Sequence, residues 1–268
     1  MGNAGELALF GGTPVIAQPF PRYTSLGEEE VKAAADVVRS GCLSGYVGAE
    51  GSGFMGGPQV RALEEEAADY FGVAYCRAVN SWTSGLQCII GSLALEPGDE
   101  VITSPWTMAA TATAVLHWNA IPVFADIDDQ TFNLDPASVE SRLSDRTRAI
   151  LAPDIFGQSA DIESLLSICK EHGLKLISDS AQAPGAFRGD SYAGTLADIG
   201  GFSLNHHKHV TCGEGGLVVT NDEDLALRVS LLRNHGEVLL GQGRELEPRY
   251  GILGANYRLG EIECAIAR

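Results

Sequence analysis

The chain has 268 residues, of which 45% are hydrophobic and 20% are charged, which is typical of a globular protein with a large buried core and excludes a disordered chain. Its 35 acidic and 18 basic residues give a formal charge of −17, which opposes binding to nucleic acid or to an anionic membrane over most of the surface. A small anion can still be held at one local site.

The first elements along the chain are two helices. Ser25 is the expected N-cap of the first helix, in a capping box, and Val31 and Val38 fall on the apolar face of that helix. A second helix is predicted to start at Pro58, because proline favours the first helical position. It is predicted to end before Gly72, because glycine commonly follows the last helical turn.

From about residue 100 onward, short apolar strands follow one another, the earlier ones separated by helical segments. The predicted strands lie in EVITSP, IPVFADI, RAILAPDI, LKLISDS, DIGGFSLN and GGLVVTN. Strands that are apolar on both faces and separated by helices indicate the α/β class, with a mostly parallel central sheet and helices on both faces. The last two strands are joined by HHKHVTCGEG without a helix, which favours an antiparallel pair there.

The helix that starts near NSWTSGL carries two hydroxyl side chains, Thr83 and Ser84, at its beginning. A helix N-terminus offers free N–H groups and the positive end of the helix dipole, so hydroxyls there can help to bind a phosphate. The same residues also fit simple N-capping, which serine and threonine perform at many helix starts. This stretch alone favours capping.

Two further polar residues follow predicted strands. Asp179 lies at the carboxyl end of a strand, where α/β proteins bind ligands, although an aspartate there also commonly caps a turn. Lys208 lies after another strand, among His206, His207 and His209. Most lysines are solvated, but partial desolvation lowers the pKa of a lysine and leaves an amine that can attack a carbonyl. The histidines lack the further ligands of a metal site, so we expect no metal.

An anion-binding helix start, a strand-end carboxylate and a desolvated lysine together are what pyridoxal 5′-phosphate requires for its phosphate, its pyridine nitrogen and its carbonyl. The sequence also contains the ordered motifs NSWTSGL, PGDEVITSPWTMAATATAVL, AIPVFADIDDQTFNLDP, DSAQAPGA, FSLNHHKHVTCGEGG, RNHG and NYRLGEIECAI. Through these motifs the chain resembles the DegT/DnrJ/StrS sugar-aminotransferase family, which has the fold of aspartate aminotransferase. The resemblance extends from LALFGGTPV to the C-terminal NYRLGEIECAIA.

The resemblance implies roles for the residues of the chemical centre. Lys208 would form the Schiff base with the cofactor, and Asp179 would pair with the pyridine nitrogen. Gln182 would lie beside the phenolic oxygen of the ring. Met108 stands where relatives commonly place an aromatic residue that stacks on the ring, and its thioether can still contact the ring face.

The resemblance also implies how the phosphate is held. Thr83, Ser84 and Ser203 would bind it within one subunit. Asn256 would reach the phosphate of the neighbouring subunit, so that a homodimer forms part of the active site. One residue departs from the family pattern here, because Trp82 stands where the family usually has glycine.

The implied activity is that of a PLP-dependent aminotransferase, which moves an amino group from glutamate or glutamine to a keto group of a nucleotide-linked sugar or a cyclitol. The implied division of the chain is an N-terminal segment, 1–25, a cofactor-binding large domain, 26–254, and the start of a further helix, 255–268. We expect this helix to lead into a small C-terminal domain that is missing here.

Other functions stay open. Dehydratase relatives carry histidine at the position of the Schiff-base lysine, so Lys208 favours transamination, but the adjacent histidine cluster leaves dehydration as an alternative. A non-catalytic PLP-binding or interaction protein is a second alternative. A dinucleotide-dependent dehydrogenase is disfavoured, because no G-x-G-x-x-G follows the first strand.

Four other residues have two interpretations each. Tyr46, in a glycine-rich stretch, belongs either to a loop over the active site or to a surface loop, and the length of the stretch favours the former. Arg233 and His235 either meet substrate phosphates or end a helix, where basic side chains favour the dipole. Glu214 is expected to serve the geometry of a turn rather than proton transfer.

The chain contains no signal for a compartment other than the cytoplasm. Its six cysteines have no C-x-x-C spacing and lie partly in apolar runs, which is typical of buried thiols in a reducing compartment. The N-terminal residues lack the basic start and apolar run of a signal peptide, and no apolar run reaches the length of a membrane span. We therefore expect a cytoplasmic protein without a membrane partner.

Overall fold

The structure, a computed structural model, describes residues 6–21, 23–49, 51–236 and 253–268. The strands are β1 Tyr75–Val79, β2 Glu100–Thr103, β3 Ile121–Phe124, β4 Thr147–Pro153, β5 Lys175–Asp179, β6 Phe187–Arg188, β7 Ser191–Tyr192, β8 Ile199–Ser203 and β9 Gly216–Thr220. The α-helices are α1 Glu28–Ser40, α2 Pro58–Phe71, α3 Trp82–Ser92, α4 Ala109–His117, α5 Pro136–Ser141, α6 Ile162–His172, α7 Glu223–Arg233 and α8 Glu261–Ala267.

Seven strands form one sheet in the order β1-β9-β8-β5-β4-β2-β3, and β6 and β7 form a separate two-stranded ribbon. Neighbouring strands of the large sheet are parallel except around β9, which runs antiparallel to both β1 and β8. The predicted α/β class with a mostly parallel sheet is confirmed. The predicted antiparallel pairing of the last two strands is also confirmed.

Helices cover both faces of the sheet because successive strand residues point to opposite sides. On one face, α3, α4 and α7 pack over a core that includes Leu86, Val229 and Ile177. On the other face, α6 packs over Ile150 and Leu176, and α2 and α8 cover the end of the sheet nearest β1. Ile177 and Leu176 are adjacent in β5, so the strand contributes to both cores, each buried side chain stabilising the fold by roughly 1.5–3 kcal/mol.

The second predicted helix is confirmed and the start of the first is corrected. Helix α2 begins at Pro58 and is followed by Gly72 in the left-handed conformation (φ 66°). Helix α1 is capped by Gly27 rather than by Ser25, because the Gly27 N–H donates to the Glu30 carboxylate at 2.6 Å. The N-cap is thus displaced by two residues from the predicted position, and only the Glu30 half of the capping box forms, since glycine has no side chain.

The apolar face predicted for α1 does not enter the core. Val31 and Val38 are 62% and 57% exposed, whereas Val37 is buried. The helix lies at the surface and packs against α8, which contacts a different side of it. Helical periodicity thus identified an apolar stripe on α1 but not the side of the helix that its neighbour covers.

Strand β1 was not among the predicted strands. Its sequence, YCRAV, has an arginine at its centre and therefore does not form an uninterrupted apolar run. The Arg77 guanidinium is accommodated by Ser230, whose Oγ accepts from Nε at 2.7 Å, and it lies near the buried Glu64.

No helix in the described part of the chain has the length and apolarity to span a lipid bilayer.

Candidate functional site

A cleft of about 270 Å³ opens at the carboxyl ends of several strands. Its walls include residues that follow β1, β4, β5 and β8, which are parallel to one another and therefore end at the same edge of the sheet. Six of the eight predicted site residues line this cleft, namely Thr83, Met108, Asp179, Gln182, Ser203 and Lys208. The topology thus brings together residues that are up to 125 positions apart in the chain.

Ser84 and Asn256, the other two predicted residues, do not line the cleft. Ser84 is buried, and its hydroxyl donates to Asn80 Oδ1 at 2.6 Å. Asn256 is exposed, and its backbone carbonyl accepts from Asn80 Nδ2 at 3.2 Å. Asn256 Oδ1 accepts from Arg258 Nε at 2.9 Å. Asn80 therefore contacts both residues behind the start of α3.

The start of α3 is capped by Ser81, one residue before the helix. Its Oγ accepts from the Ser84 backbone N–H at 3.0 Å. Because Ser81 satisfies this donor, the side chain of Thr83 is not needed as a cap, and it is exposed to the cleft. The N-terminal end of α3 therefore presents a hydroxyl and the positive end of its dipole to the cleft.

Asp179 ends β5 and points to the face covered by α3, as does Ile177 two residues earlier. Its Oδ1 accepts from Trp82 Nε1 at 2.6 Å, and its Oδ2 accepts from Thr111 Oγ1 at 2.8 Å. The residue is only 6% exposed. Burial raises the pKa of the Asp179 carboxyl, against the opposing effects of the Trp82 and Thr111 hydrogen bonds and of the charge on Lys208.

Lys208 lies in the loop between β8 and β9 and is half-buried. Burial lowers the pKa of its ammonium group, and the charge of Asp179 opposes this shift. The Lys208 backbone N–H donates to Asn205 O at 2.9 Å, and Asn205 Nδ2 donates to both carboxylate oxygens of Glu214 at 2.9 and 3.0 Å. Glu214 thus joins the two sides of the loop that carries the lysine.

Gln182 and Met108 line two other parts of the cleft. Gln182 Oε1 accepts from the Phe156 backbone N–H at 2.8 Å, which orients the side-chain amide. Phe156 itself has a positive φ of 56°, an uncommon conformation for a residue other than glycine. Met108 precedes α4 and is 72% exposed, so its thioether is accessible at the edge of the cleft.

Three polar or aromatic residues of the site were not predicted from the sequence. Asp154 follows β4, is 1% exposed, and accepts from Ala160 N at 2.8 Å and from the hydroxyls of Ser178 and Ser180. Its position directly after a predicted strand is the signal that identified Asp179, so it was open to the same argument. Thr111 and Trp82 lie in helices, and nothing in the sequence shows that both donate to Asp179.

The residues with two interpretations lie apart from the cleft, except for Glu214. Arg233 is fully buried, where it pairs with Glu64 and donates to Ala78 O at 2.8 Å. The centroid of the Tyr46 ring lies 5.2 Å from the guanidinium carbon of Arg233 and 5.8 Å from that of Arg258. Arg233 therefore ends α7 and does not face the cleft, and Tyr46 packs beside it rather than over the cleft.

The histidine cluster contributes one residue to the cleft. His207 lines it, while the rings of His206 and His207 contact each other edge to face with centroids 4.9 Å apart. Within the described residues, no group of three or more histidine, cysteine, aspartate or glutamate side chains is arranged to hold a metal ion.

Known proteins share both the sequence and the fold. Residues 25–268 match the DegT/DnrJ/EryC1/StrS aminotransferase family. The chain is 37% identical over 271 residues to the L-glutamine:2-deoxy-scyllo-inosose aminotransferase of Streptomyces lividus, covering 98% of this chain and 62% of that protein. The chain therefore spans less than two thirds of the length of this relative.

Two solved structures illustrate the similarity of fold. The structure of DesI in the presence of its TDP-sugar product has a TM-score of 0.81 and 34% identity, covering 97% of this chain and 62% of DesI. NtdA from Bacillus subtilis with bound cofactor PMP has a TM-score of 0.76 and 28% identity, covering 90% of this chain and 51% of NtdA. The fold is that of the PLP-dependent aminotransferases of fold type I.

Proposed function

The chain belongs to the DegT/DnrJ/EryC1/StrS aminotransferase family, and on that premise we propose that it acts as a pyridoxal 5′-phosphate-dependent aminotransferase. The amino donor is L-glutamine or L-glutamate, and the acceptor is a keto group of a cyclitol or of a nucleotide-linked sugar. The observation that carries the proposal is the convergence of Lys208 and Asp179 on one cleft beside the start of α3.

The residues of the cleft fit this cofactor. Asp179 is a buried carboxylate whose bonded partners in the described structure are neutral, namely Trp82, Thr111 and a backbone N–H. A protonated pyridine nitrogen would supply the opposite charge that a buried carboxylate needs. Lys208 supplies the amine. Met108 and Gln182 would border the ring, as the family resemblance implies.

A phosphate would be held at the start of α3, where backbone N–H groups and the dipole favour an anion. Thr83 and Ser203 line the cleft there and would add hydroxyl donors. Ser84 is proposed to act through the cap, since its backbone N–H is held by Ser81 and its side chain by Asn80. Asn256 remains the proposed contact from the neighbouring subunit.

The mechanism divides the chemistry between the cofactor and the chain. The cofactor, when bound, supplies a carbonyl that condenses with amines and a ring that accepts the electron pair of a deprotonated carbon. Asp179 holds a proton at the pyridine nitrogen. Lys208, with its lowered pKa, serves as the base that removes the proton from the α-carbon of the amino donor. The donor leaves as its keto acid, and the acceptor ketone becomes an amine, so the overall exchange needs no external oxidant.

The substrate classes are carried over from relatives. The Streptomyces lividus relative is named for L-glutamine and 2-deoxy-scyllo-inosose, a keto-cyclitol, and DesI was solved with a TDP-sugar product. We propose a homodimer as well, because Asn256 is exposed and lies outside the cleft of its own chain. All six cysteines are free thiols, which supports the cytoplasm as the compartment.

The test combines a spectrum with a covalent label. We expect the purified chain to bind pyridoxal 5′-phosphate with an absorption band that L-glutamine or L-glutamate converts to that of the pyridoxamine form. Borohydride reduction followed by peptide mass spectrometry should place the cofactor mass on Lys208. Lys208→Arg should lose this label, whereas Lys170→Arg, at an exposed position in α6, should retain it.

Other results of this test indicate a different function or contradict the proposal. A band that persists with every donor identifies a non-catalytic cofactor-binding protein. A sugar product that has lost water and gained no nitrogen identifies a dehydratase. Absence of any cofactor band, or a label on a lysine other than Lys208, contradicts the proposal. Once the donor half-reaction is established, a panel of inososes and nucleotide-linked keto-sugars identifies the acceptor.

A further inference from the structure

Trp82 is the first residue of α3, and its large side chain is directed into the protein rather than toward solvent. The indole is 6% exposed and joins the core between α3 and the sheet. The absence of a side chain at two glycines leaves the space that the indole occupies. A Cβ at Gly85 would lie 2.9 Å from Trp82 Cε3, and a Cβ at Gly201 would lie 2.6 Å from Trp82 Cζ3. Gly85, Gly201 and Trp82 thus form one indole slot.

The indole slot extends to the end of β5. Gly201 is paired with Asp179 across the parallel strands β5 and β8. An indole that passes over Gly201 therefore reaches the Asp179 carboxylate, and its N–H donates to Oδ1 at 2.6 Å. Nothing at the Trp82 backbone opposes this arrangement, because it is not among the described non-glycine residues with positive φ.

We infer that Trp82 is a positioning residue of the cleft, whose indole N–H fixes the orientation of the Asp179 carboxylate and favours its ionised form. The inference rests on the proposed function, since the carboxylate is the group assigned to the pyridine nitrogen. Trp82 acts through Asp179 and is given no direct contact with substrate.

The geometry supports this role because the two oxygens of one carboxylate are held from two different helices. Trp82 of α3 binds Oδ1, and Thr111 of α4 binds Oδ2, so that rotation of the carboxylate breaks both hydrogen bonds. Hydrogen bonds to a carboxylate favour its charged form, whereas burial disfavours it. The other charged groups that act on Asp179 are Lys208, whose charge favours the ionised form, and Asp154, whose charge opposes it, and both line the same cleft.

The first experiment measures cofactor affinity. Trp82→Phe retains an aromatic ring and removes the donor, and we expect its dissociation constant for pyridoxal 5′-phosphate at pH 7.5 to rise about tenfold or more, the scale of a hydrogen bond to a charged group. The matched control is Trp118→Phe. The Trp118 indole N–H also donates, to Gln87 O at 2.7 Å, but lies outside the cleft, so this variant should bind with the affinity of the wild type.

The second experiment needs no cofactor and isolates the N–H. The carbon-13 NMR signal of the Asp179 carboxyl is assigned by its absence in Asp179→Asn. The midpoint of its pH titration should lie at higher pH in Trp82→Phe than in the wild type. Trp118→Phe should leave this midpoint unchanged. Replacement of Trp82 by benzothienylalanine, in which sulfur replaces the N–H, should give the same shift. This variant keeps the shape of the indole, and it remains informative if the phenylalanine variant does not fold.

The two experiments separate the inference from the proposed function. If the wild type does not bind the cofactor, the proposed function fails while the NMR titration still tests the hydrogen bond. If both Trp82 variants titrate at Asp179 as the wild type does, the positioning role is overturned. A wild type that binds the cofactor together with Trp82 variants of unchanged affinity overturns it equally.

Discussion

At the scale of single residues, the site is organised around a carboxylate that is buried with neutral partners. Asp179 receives hydrogen bonds from Trp82 and Thr111, yet burial still raises its pKa. An ionised group in this position destabilises the protein until an opposite charge is added. We therefore interpret Asp179 as a residue retained for binding, at the expense of the stability of the cofactor-free protein.

This interpretation predicts how Asp179→Asn changes stability. The folded-state pKa of Asp179 is raised above its usual value of 3.8, so the folded protein binds this proton more tightly than the unfolded chain does. Its favourable contribution is present below pH 3.8 and is lost as the pH rises through the folded-state pKa. At pH 7 the cofactor-free asparagine variant should therefore unfold at a higher urea concentration than the wild type. The difference should shrink as the pH falls.

Asp128→Asn is the matched control for this experiment. Hydrogen bonds from Thr131 and from the backbone lower the pKa of the partly buried Asp128 carboxyl, so its contribution has the opposite sign. It is present at pH 7 and is lost as the pH falls, and its asparagine variant should be less stable than the wild type at pH 7. Equal responses of the two variants would contradict the assignment. Asp179→Asn should also lose the ability to bind pyridoxal 5′-phosphate, as measured by the absorption of the cofactor.

The sequence made some residues of the site predictable. Lys208 and Asp179 follow recognisable strands, and parallel strands end at one edge of a sheet, so their meeting in the cleft could be expected. The direction of a side chain at a helix start has no comparable signal. Trp82 was noted only as a departure from the family pattern, and its bond to Asp179 depends on the space left by Gly85 and Gly201.

At the scale of elements, α8 is joined to α2 by one buried carboxylate. Glu261 is 1% exposed, and its carboxylate accepts from the backbone N–H groups of Gln59 at 2.8 Å and Val60 at 3.2 Å. These donors of the first turn of α2 have no partner within the helix, so Glu261 supplies the acceptor that Ser81 supplies at the start of α3. The positive end of the dipole of α2 also stabilises the negative charge of the Glu261 carboxylate at this position.

Glu261→Ala should lower the free energy of unfolding by about 1–2 kcal/mol, because it removes the cap and leaves buried donors without a partner. Urea unfolding followed by circular dichroism gives this value. Glu263→Ala is the control, since Glu263 lies in the same first turn of α8 and accepts no hydrogen bond from α2 among the described contacts. A loss of similar size in both variants would indicate a general effect on α8 and not the cap.

Two features of whole elements did not follow from the sequence, each for a physical reason. Strand β1 was missed because Arg77 interrupts its apolar run, and an arginine enters a sheet only when partners such as Ser230 are brought to it by the tertiary fold. The apolar stripe of α1 did not reveal the buried side of the helix, because α8 does not cover Val31 and Val38. In both cases the deciding partner lies more than a hundred residues away in the sequence.

At the scale of the whole molecule, the described fold leaves one cysteine partly accessible. Cys42 is partly buried, and the other five, Cys76, Cys88, Cys169, Cys212 and Cys264, are buried. Burial raises the pKa of each of these five thiols, which lowers the fraction of reactive thiolate further.

The folded protein should therefore react quickly with about one equivalent of a disulfide reagent such as Ellman's, and with all six thiols in guanidinium chloride. Cys42→Ser should remove the fast phase, whereas Cys88→Ser, in the buried part of α3, should leave it unchanged. Rapid reaction of several thiols under native conditions would show that the core opens more readily than its packing implies.

The indole slot restricts the order in which substitutions can accumulate in this chain. Glycine within a helix costs roughly 1 kcal/mol relative to alanine, and Gly85 lies inside α3 where a methyl group would meet Trp82. Alanine at position 85 is therefore compatible with a small residue at position 82 but not with tryptophan. In an evolutionary path to this sequence, glycine had to appear at position 85 before tryptophan appeared at position 82, or together with it. In the reverse path, the tryptophan has to be replaced first.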